Sequence, residues 1–358
     1  IEPFLASFLN QTGIPQVHAS VQCEDRPRLT LRQSRYLPLE ARPRQSESDR
    51  QRTWHLPVCV RYPIDESATK TIRRCFELDS AAKEVQLDTP TCPAWLLPND
   101  GDTGYYHYIL SPAGYASLPI HELSPKEALG LAHSISAAIH AAELDIEQGL
   151  ELLQPLLVVK SSKVHEVIHD LLYDLAVSVI GDAERPAFSA MVRAWYRPIV
   201  RDMGVSPPSK DEPWAVASRP SLLFLLADLG EDVVLQRAVR QKIEAWLDTA
   251  HGMDVALLGS WLQIAALGGD STLATRYKEV LRDSKNGTHR FLIFGALHGF
   301  RQLEQFEESL DRGRKRPGIW PILAKGMRYP DLRKSVLEHI VPGDIELEDA
   351  AQLFAHLC

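Results

Sequence analysis

The period of the apolar residues changes once along this chain, after Leu110, and that change sets what the chain can fold into. Before it, apolar and polar side chains alternate. Pro15 leads into VHASVQC, Leu29 and Leu31 alternate with Arg28, Thr30 and Arg32, and Val58, Val60 and Tyr62 alternate with Cys59 and Arg61. A two-residue period places one set of side chains on each face of a half-buried strand. TIRRCFELD (71–79), Trp95–Leu97 and Tyr105–Leu110 read as further strands, about six in all, with turn residues between them. Pro57 cannot donate a ladder hydrogen bond, so its strand belongs at an edge or a bulge. Pro98-Asn99-Asp100-Gly101-Asp102 is turn chemistry that predicts a hairpin-like return between the last two strands. Many short strands separated by turns predict a compact β-sandwich over residues 1–110.

From Pro125 onward the spacing is three and four, as in Leu129, Leu131, Ala132, Ile135, Ala138 and Ile139, which is the stripe of an amphipathic helix. Blocks of this kind recur between breakers at Gly181-Asp182, Gly204 to Pro208, Gly230, Gly252, Gly268-Gly269, Asn286-Gly287, Gly313 and Pro342-Gly343. They amount to about twelve helices with no strict repeat. Successive short helix pairs stack so that each buries its face against the next, which predicts an all-α superhelical domain over residues 111–358.

Four phrases stand in fixed order within the first part: FLNQTGIPQV (8–17), LTLRQSRYLPL (29–39), WHLPVCVRYP (54–63) and WLLPNDGDTGYYHYIL (95–110). That order resembles the region after the catalytic domain in zinc aminopeptidases of the aminopeptidase N and puromycin-sensitive type. There Q-x-G-x-P-x-V, L-x-Q-x-R-(F/Y)-L, W-x-(I/V)-P-(V/L) and W-x-x-x-N-x-x-x-x-G-(Y/F)-Y segments build a small sandwich ahead of a large, HEAT-like helical domain. The resemblance implies a parent enzyme that removes N-terminal residues from peptides with a zinc-bound water and a glutamate base. It implies that the helical domain caps the catalytic domain and selects substrates. On that reading the partners are an N-terminal catalytic domain of the same polypeptide and peptide substrates, and the zinc lies in that other domain. The family's G-x-M-E-N loop and its catalytic tyrosine have no counterpart in this sequence, so no catalytic residue carries over and the chain alone is expected to be inactive. The first residue is Ile and no leader pattern follows, so the expectation is a piece of a longer or processed protein.

One motif points elsewhere. His165-Glu166-Val167-Ile168-His169 is H-E-x-x-H, which on a helix sets two imidazoles one turn apart to hold zinc beside a glutamate base. A metallopeptidase using these residues is therefore an alternative function. The aminopeptidase pattern would need a glutamate where Phe188 stands, and the longer zinc-peptidase motif would need Gly and His where Leu172 and Leu175 stand. Glu184 is the nearby candidate for a rescuing ligand. The opposite face, Val164, Ile168, Leu171 and Leu175, is a core stripe, so His165, Glu166 and His169 read as a chance match on a partly solvated helix face. A stand-alone helical scaffold for protein partners is the other alternative.

Cys23, Cys59, Cys75 and Cys92 all lie in the sandwich segment, and the fifth cysteine is Cys358. Four cysteines confined to one small β-domain suggest disulfides, with buried thiols as the other reading. Of the three possible pairings, proximity in sequence favours Cys23–Cys59 with Cys75–Cys92. None has the close spacing of a zinc knuckle. Disulfides in turn predict an extracytoplasmic location. A net charge of −8 gives no electrostatic footprint for nucleic acid, and LLQPLLVV and SLLFLLADL are too short to span a bilayer. Arg312, Arg314, Lys315 and Arg316 form a basic cluster that reads as a solvated helix end, and Tyr105, Tyr106 and Tyr108 read as packing at the junction of the two domains.

Overall fold

The computed structural model describes residues 2–24, 26–44, 46, 51–208, 210–249, 252–313 and 320–340. It divides into two compact units, Ile1–Ile168 and His169–Cys358. A small β region comes first and an all-α region follows it.

The first unit opens with helix α1 (Glu2–Leu9) and then six strands: β1 (Pro15–Cys23), β2 (Pro27–Arg35), β3 (Leu56–Pro63), β4 (Thr71–Leu78), β5 (Ala82–Gln86) and β6 (His107–Ile109). They make two sheets, one in the order β5-β2-β1-β6 and one of β3 with β4. β1 and β2 pair antiparallel along their whole length, Pro15 opposite Arg35 and Cys23 opposite Pro27. Alternation does here what its period requires: Leu29 and Leu31 are fully buried while Arg28 and Arg32 face outward. Burying two leucines of this size contributes about 1.5–3 kcal/mol each. β3 sits in a two-stranded sheet, so Pro57 has the edge position that its missing donor demands.

Three features differ from the sequence reading. Residues 95–97 do not form a strand; Leu97 makes a single antiparallel bridge to Arg61. β5 replaces it, a segment with few apolar side chains whose residues are mostly exposed. The turn after Pro98 does not return the chain as a hairpin. It winds into a 3-10 turn, Asp100–Asp102, and delivers β6 to the far edge of β1, where it pairs parallel through Gln16 and His107 to His18 and Ile109.

Thirteen α-helices after Leu110 are described: α2 (Pro112–Ala116), α3 (Pro125–His140), α4 (Ile146–Leu153), α5 (Ser162–Ser178), α6 (Arg185–Met203), α7 (Pro213–Asp228), α8 (Val233–Thr249), α9 (Val255–Leu267), α10 (Ser271–Asp283), α11 (Gly287–Ala296), α12 (Leu303–Gly313), α13 (Trp320–Arg328) and α14 (Pro330–Ile340). Their ends follow local chemistry. Ser124 and Glu127 close a capping box at the start of α3, and Asp254, Asp270 and Asn286 cap α9, α10 and α11 through their side-chain oxygens. The breakers read from the sequence fall between helices or at their ends, as Gly287 opens α11 and Gly313 closes α12, while Pro342-Gly343 lies outside the described residues. α2, α3 and α4 belong to the first unit because α3 packs on β6 and on the Asp100–Asp102 turn. The step from strand to helix and the step between compact units are thus separate events in this chain.

Candidate functional site

The four N-terminal phrases have a physical reason to be where they are. Gly13 adopts φ of 116°, a conformation that disfavours any side chain, and a Cβ there would run into the Arg35 side chain. Gln11 Nε2 donates to Thr53 O at 2.8 Å. Gln33, buried at the inward end of β2, donates from Nε2 to Trp54 O (2.8 Å) and Ser80 O (2.9 Å) and accepts from Trp54 N–H at Oε1 (2.8 Å). A buried amide satisfied on both sides ties one sheet to the segment that opens the other, and it is costly to remove.

In the last phrase Asn99 bonds both backbone groups of Gly104, donating to its carbonyl at 2.9 Å and accepting from its N–H at 2.9 Å. Any Cβ at Gly104 would overlap the Tyr106 ring, whose hydroxyl donates to Pro98 O at 2.8 Å. The loop therefore closes on itself and leaves the neighbouring carboxylates facing α3 and β3. Arg61 of β3 reaches Asp100 Oδ1 at 2.8 Å and Glu127 Oε1 at 2.8 Å, and its guanidinium lies 5.9 Å from the centre of the Trp95 ring. Glu127 also accepts from Gly101 N–H (3.0 Å) and from the Ser124 N–H and hydroxyl (2.8 and 2.9 Å). Burial alone would raise its pKa, but the Gly101 and Ser124 hydrogen bonds and the Arg61 charge outweigh it and hold the carboxyl below its usual value. The result is a rigid joint between the sheets and the first long helix.

Of the three tyrosines, Tyr106 and Tyr108 are buried and Tyr105 is exposed, its ring 6.1 Å from that of Phe8 in α1. The Tyr115 hydroxyl donates to Tyr108 O at 2.7 Å.

The H-E-x-x-H residues do not converge. His165 is 2% exposed, and burial pushes its pKa down to about 4, opposed by a hydrogen bond to the Val159 backbone. Glu166 is on the surface with Lys163 Nζ at 2.6 Å. His169 has Asp170 Oδ1 at 3.1 Å from Nδ1 and lies against the Tyr173 ring, tilted by 48° with centroids 4.7 Å apart. Phe188 is core, and Glu184 sits at the N-cap of α6. Among the described residues no three His, Cys, Asp or Glu side chains are grouped to hold a metal ion.

The cysteines are bonded as Cys23–Cys92 and Cys59–Cys75. The pairing favoured by proximity, Cys23–Cys59 with Cys75–Cys92, is not the one formed. Cys59 and Cys75 face each other across β3 and β4, and Cys23 ends β1. Strand register brings Cys59 to Cys75, whereas Cys92 lies outside the strands and reaches the end of β1 from the segment after β5. Of the basic cluster, Arg312 Nε donates to Glu308 O at 3.2 Å, while Arg314, Lys315 and Arg316 lie outside the described residues, as does Cys358.

Sequence reasoning missed a charged cluster in the second unit. Asp228, the last residue of α7, is 4% exposed and accepts from Arg328 Nη1 (2.7 Å), Arg301 Nη2 (2.7 Å) and the Tyr173 hydroxyl (3.0 Å). Burial raises the pKa of that carboxyl, yet the two guanidiniums more than offset it and hold it well below the usual range. A signal for it did exist. A carboxylate at the negative end of a helix, closing the apolar run SLLFLLAD, is unfavourable twice over unless cations meet it.

The residues of the four phrases are thus engaged in architecture, in a β region followed by an all-α region. The family model of the ERAP1-like C-terminal domain matches residues 95–354, and the chain belongs to that family, the C-terminal region of an aminopeptidase N-type enzyme. The match begins at Trp95, inside the last of the four phrases. No curated protein matches the chain. Among the described residues no helix is long and apolar enough to cross a membrane.

Proposed function

We propose that this chain is the non-catalytic part of a zinc aminopeptidase, with a sandwich domain over 1–110 and a helical domain over 111–358 that caps the catalytic domain and selects peptide substrates. The observation that carries the reading is the family match over residues 95–354 together with the three earlier phrases in their order. The zinc, the glutamate base and the tyrosine belong to the preceding domain on this account. His165, Glu166 and His169 serve no metal; the burial of one imidazole, the ion pair of Glu166 with Lys163 and the contact of His169 with Asp170 support that. Two disulfides support an extracytoplasmic location.

The coding sequence upstream of Ile1 tests the parentage: a G-x-M-E-N loop and an H-E-x-x-H followed after eighteen residues by Glu are expected. The isolated chain should purify without stoichiometric zinc and leave aminoacyl chromogenic substrates intact. One zinc per chain, lost together with peptidase activity in His165→Ala, would overturn the reading.

A further inference from the structure

We infer that α12, α13 and α14 form a strap that closes the second unit on its own first helices and opens as a body, with the Asp228 carboxylate as the clasp. This goes beyond substrate selection and does not depend on it. The strap has its own apolar core: Phe306, Leu310, Ile322, Leu323, Leu332 and Val336 pack together, with Met327 and Tyr329 against them. All but Tyr329, which joins α13 to α14, come from the three strap helices.

What fastens the strap to the beginning of the unit is of another kind. Arg328 reaches back 100 residues to Asp228, and Arg301, just ahead of the strap, reaches back 73 to the same carboxylate. Arg333 reaches back 151 residues to Asp182, at 3.0 and 3.2 Å. The Tyr329 ring is covered by the guanidiniums of Arg301 (4.4 Å), Arg328 (5.3 Å) and Arg185 (5.5 Å). Lys325 donates to the carbonyls of His298, Gly299 and Phe300, which anchors the strap at its near end. Helices that stack only on their sequence neighbours would make none of the long-range contacts.

Separating an apolar interface exposes its full area to water, whereas separating ion pairs gives each charge its hydration back. The strap therefore parts from the first helices at less cost than it loses its own core, and opening is sub-global. Within the buried part of the clasp the closed form depends on one anion, Asp228; Asp182 is an exposed second one. Arg301 and Arg328 both pair with Asp228, and without its charge the closed cluster holds two guanidiniums that have lost their shared carboxylate.

Native-state hydrogen exchange on the whole chain tests this. In the unmodified chain, amides of Leu303–Gly313, Trp320–Arg328 and Pro330–Ile340 should share one opening that precedes those of Pro213–Asp228 and Val255–Leu267. Asp228→Asn should speed exchange in the strap by about a hundredfold or more, the effect of leaving buried charge uncompensated, with Val255–Leu267 unchanged. Arg333→Ala, at the exposed Asp182 pair, should speed it by only about two- to fivefold. A rise shared equally by strap and Val255–Leu267, or no rise in Asp228→Asn, overturns the inference. Should Asp228→Asn fail to fold, strap amides that exchange only with global unfolding of the unmodified chain overturn it as well.

Discussion

Replacing Glu127 with alanine should loosen the joint between the sheets and α3 by an amount the structure allows us to work out. Four donors lose an acceptor: the Arg61 guanidinium, the Gly101 N–H, and the N–H and hydroxyl of Ser124. Ser124 is exposed and water replaces its partner, so its share is small, and the lost half of the capping box costs about 0.5–1 kcal/mol. Gly101 is half-buried and its N–H costs about 1 kcal/mol. Arg61 keeps Asp100 at 2.8 Å, so its charge is not stranded, and losing one charge-assisted bond costs about 1.5–2 kcal/mol. The sum is about 3–4 kcal/mol. Urea unfolding followed by hydrogen exchange in residues 95–140 reads it directly. Glu127→Gln isolates the charge. Because the folded pKa lies below the ordinary 4.5, the stability owed to ionisation is complete above that pH and fades as pH falls through the lower folded value. The gap between wild type and Glu127→Gln should therefore be flat from pH 5 to pH 8 and shrink in more acid solution. A Glu127→Ala cost below about 1 kcal/mol would refute the reasoning, because it would leave the buried carboxylate with no net role at the joint.

Two further outcomes follow from the cysteines and from His165. Thiol titration of the denatured, unreduced chain should find one free thiol among the five cysteines; five free thiols would contradict the disulfides. Removing Cys23–Cys92, which spans 69 residues, should destabilise by about 1 kcal/mol more than removing Cys59–Cys75, which spans 16, because the longer loop restricts the unfolded chain more. His165 stays neutral in the fold until about pH 4 but takes up a proton near 6.5 when unfolded, so the folded chain should lose up to about 3 kcal/mol as pH falls between those values. His107 acts in the same direction, so the slope should be partly flattened in His165→Gln, and an unchanged slope would contradict the burial argument.

How much of this was legible in the sequence varied with the range over which each feature is determined. Leu29 and Leu31 against Arg28 and Arg32 announced a strand because the signal is local, and the glycine breakers announced helix ends for the same reason. Ala82–Gln86 escaped notice because an edge strand with exposed side chains needs little apolar patterning. The hairpin expected after Pro98 failed on a single side chain: Asn99 closes the loop onto Gly104 and redirects the chain to β1. The Cys59–Cys75 pair followed strand register, and Cys23–Cys92 closed a separation of 69 residues that spacing does not encode. The Asp228 cluster joins side chains 55, 73 and 100 residues apart, so no spacing rule could assemble it, although a carboxylate at the end of an apolar helix was a warning.

The most direct test of the proposed role is the ratio of kcat/KM for a long peptide to that for an aminoacyl chromogenic substrate, in the intact parent enzyme and in one lacking residues 111–358. Capping of the catalytic domain predicts that the zinc site survives the deletion, that the small substrate is still cleaved, and that the ratio changes because long and folded peptides are no longer selected. An unchanged ratio, with loss of stability alone, would contradict the account and leave the helical region as a scaffold.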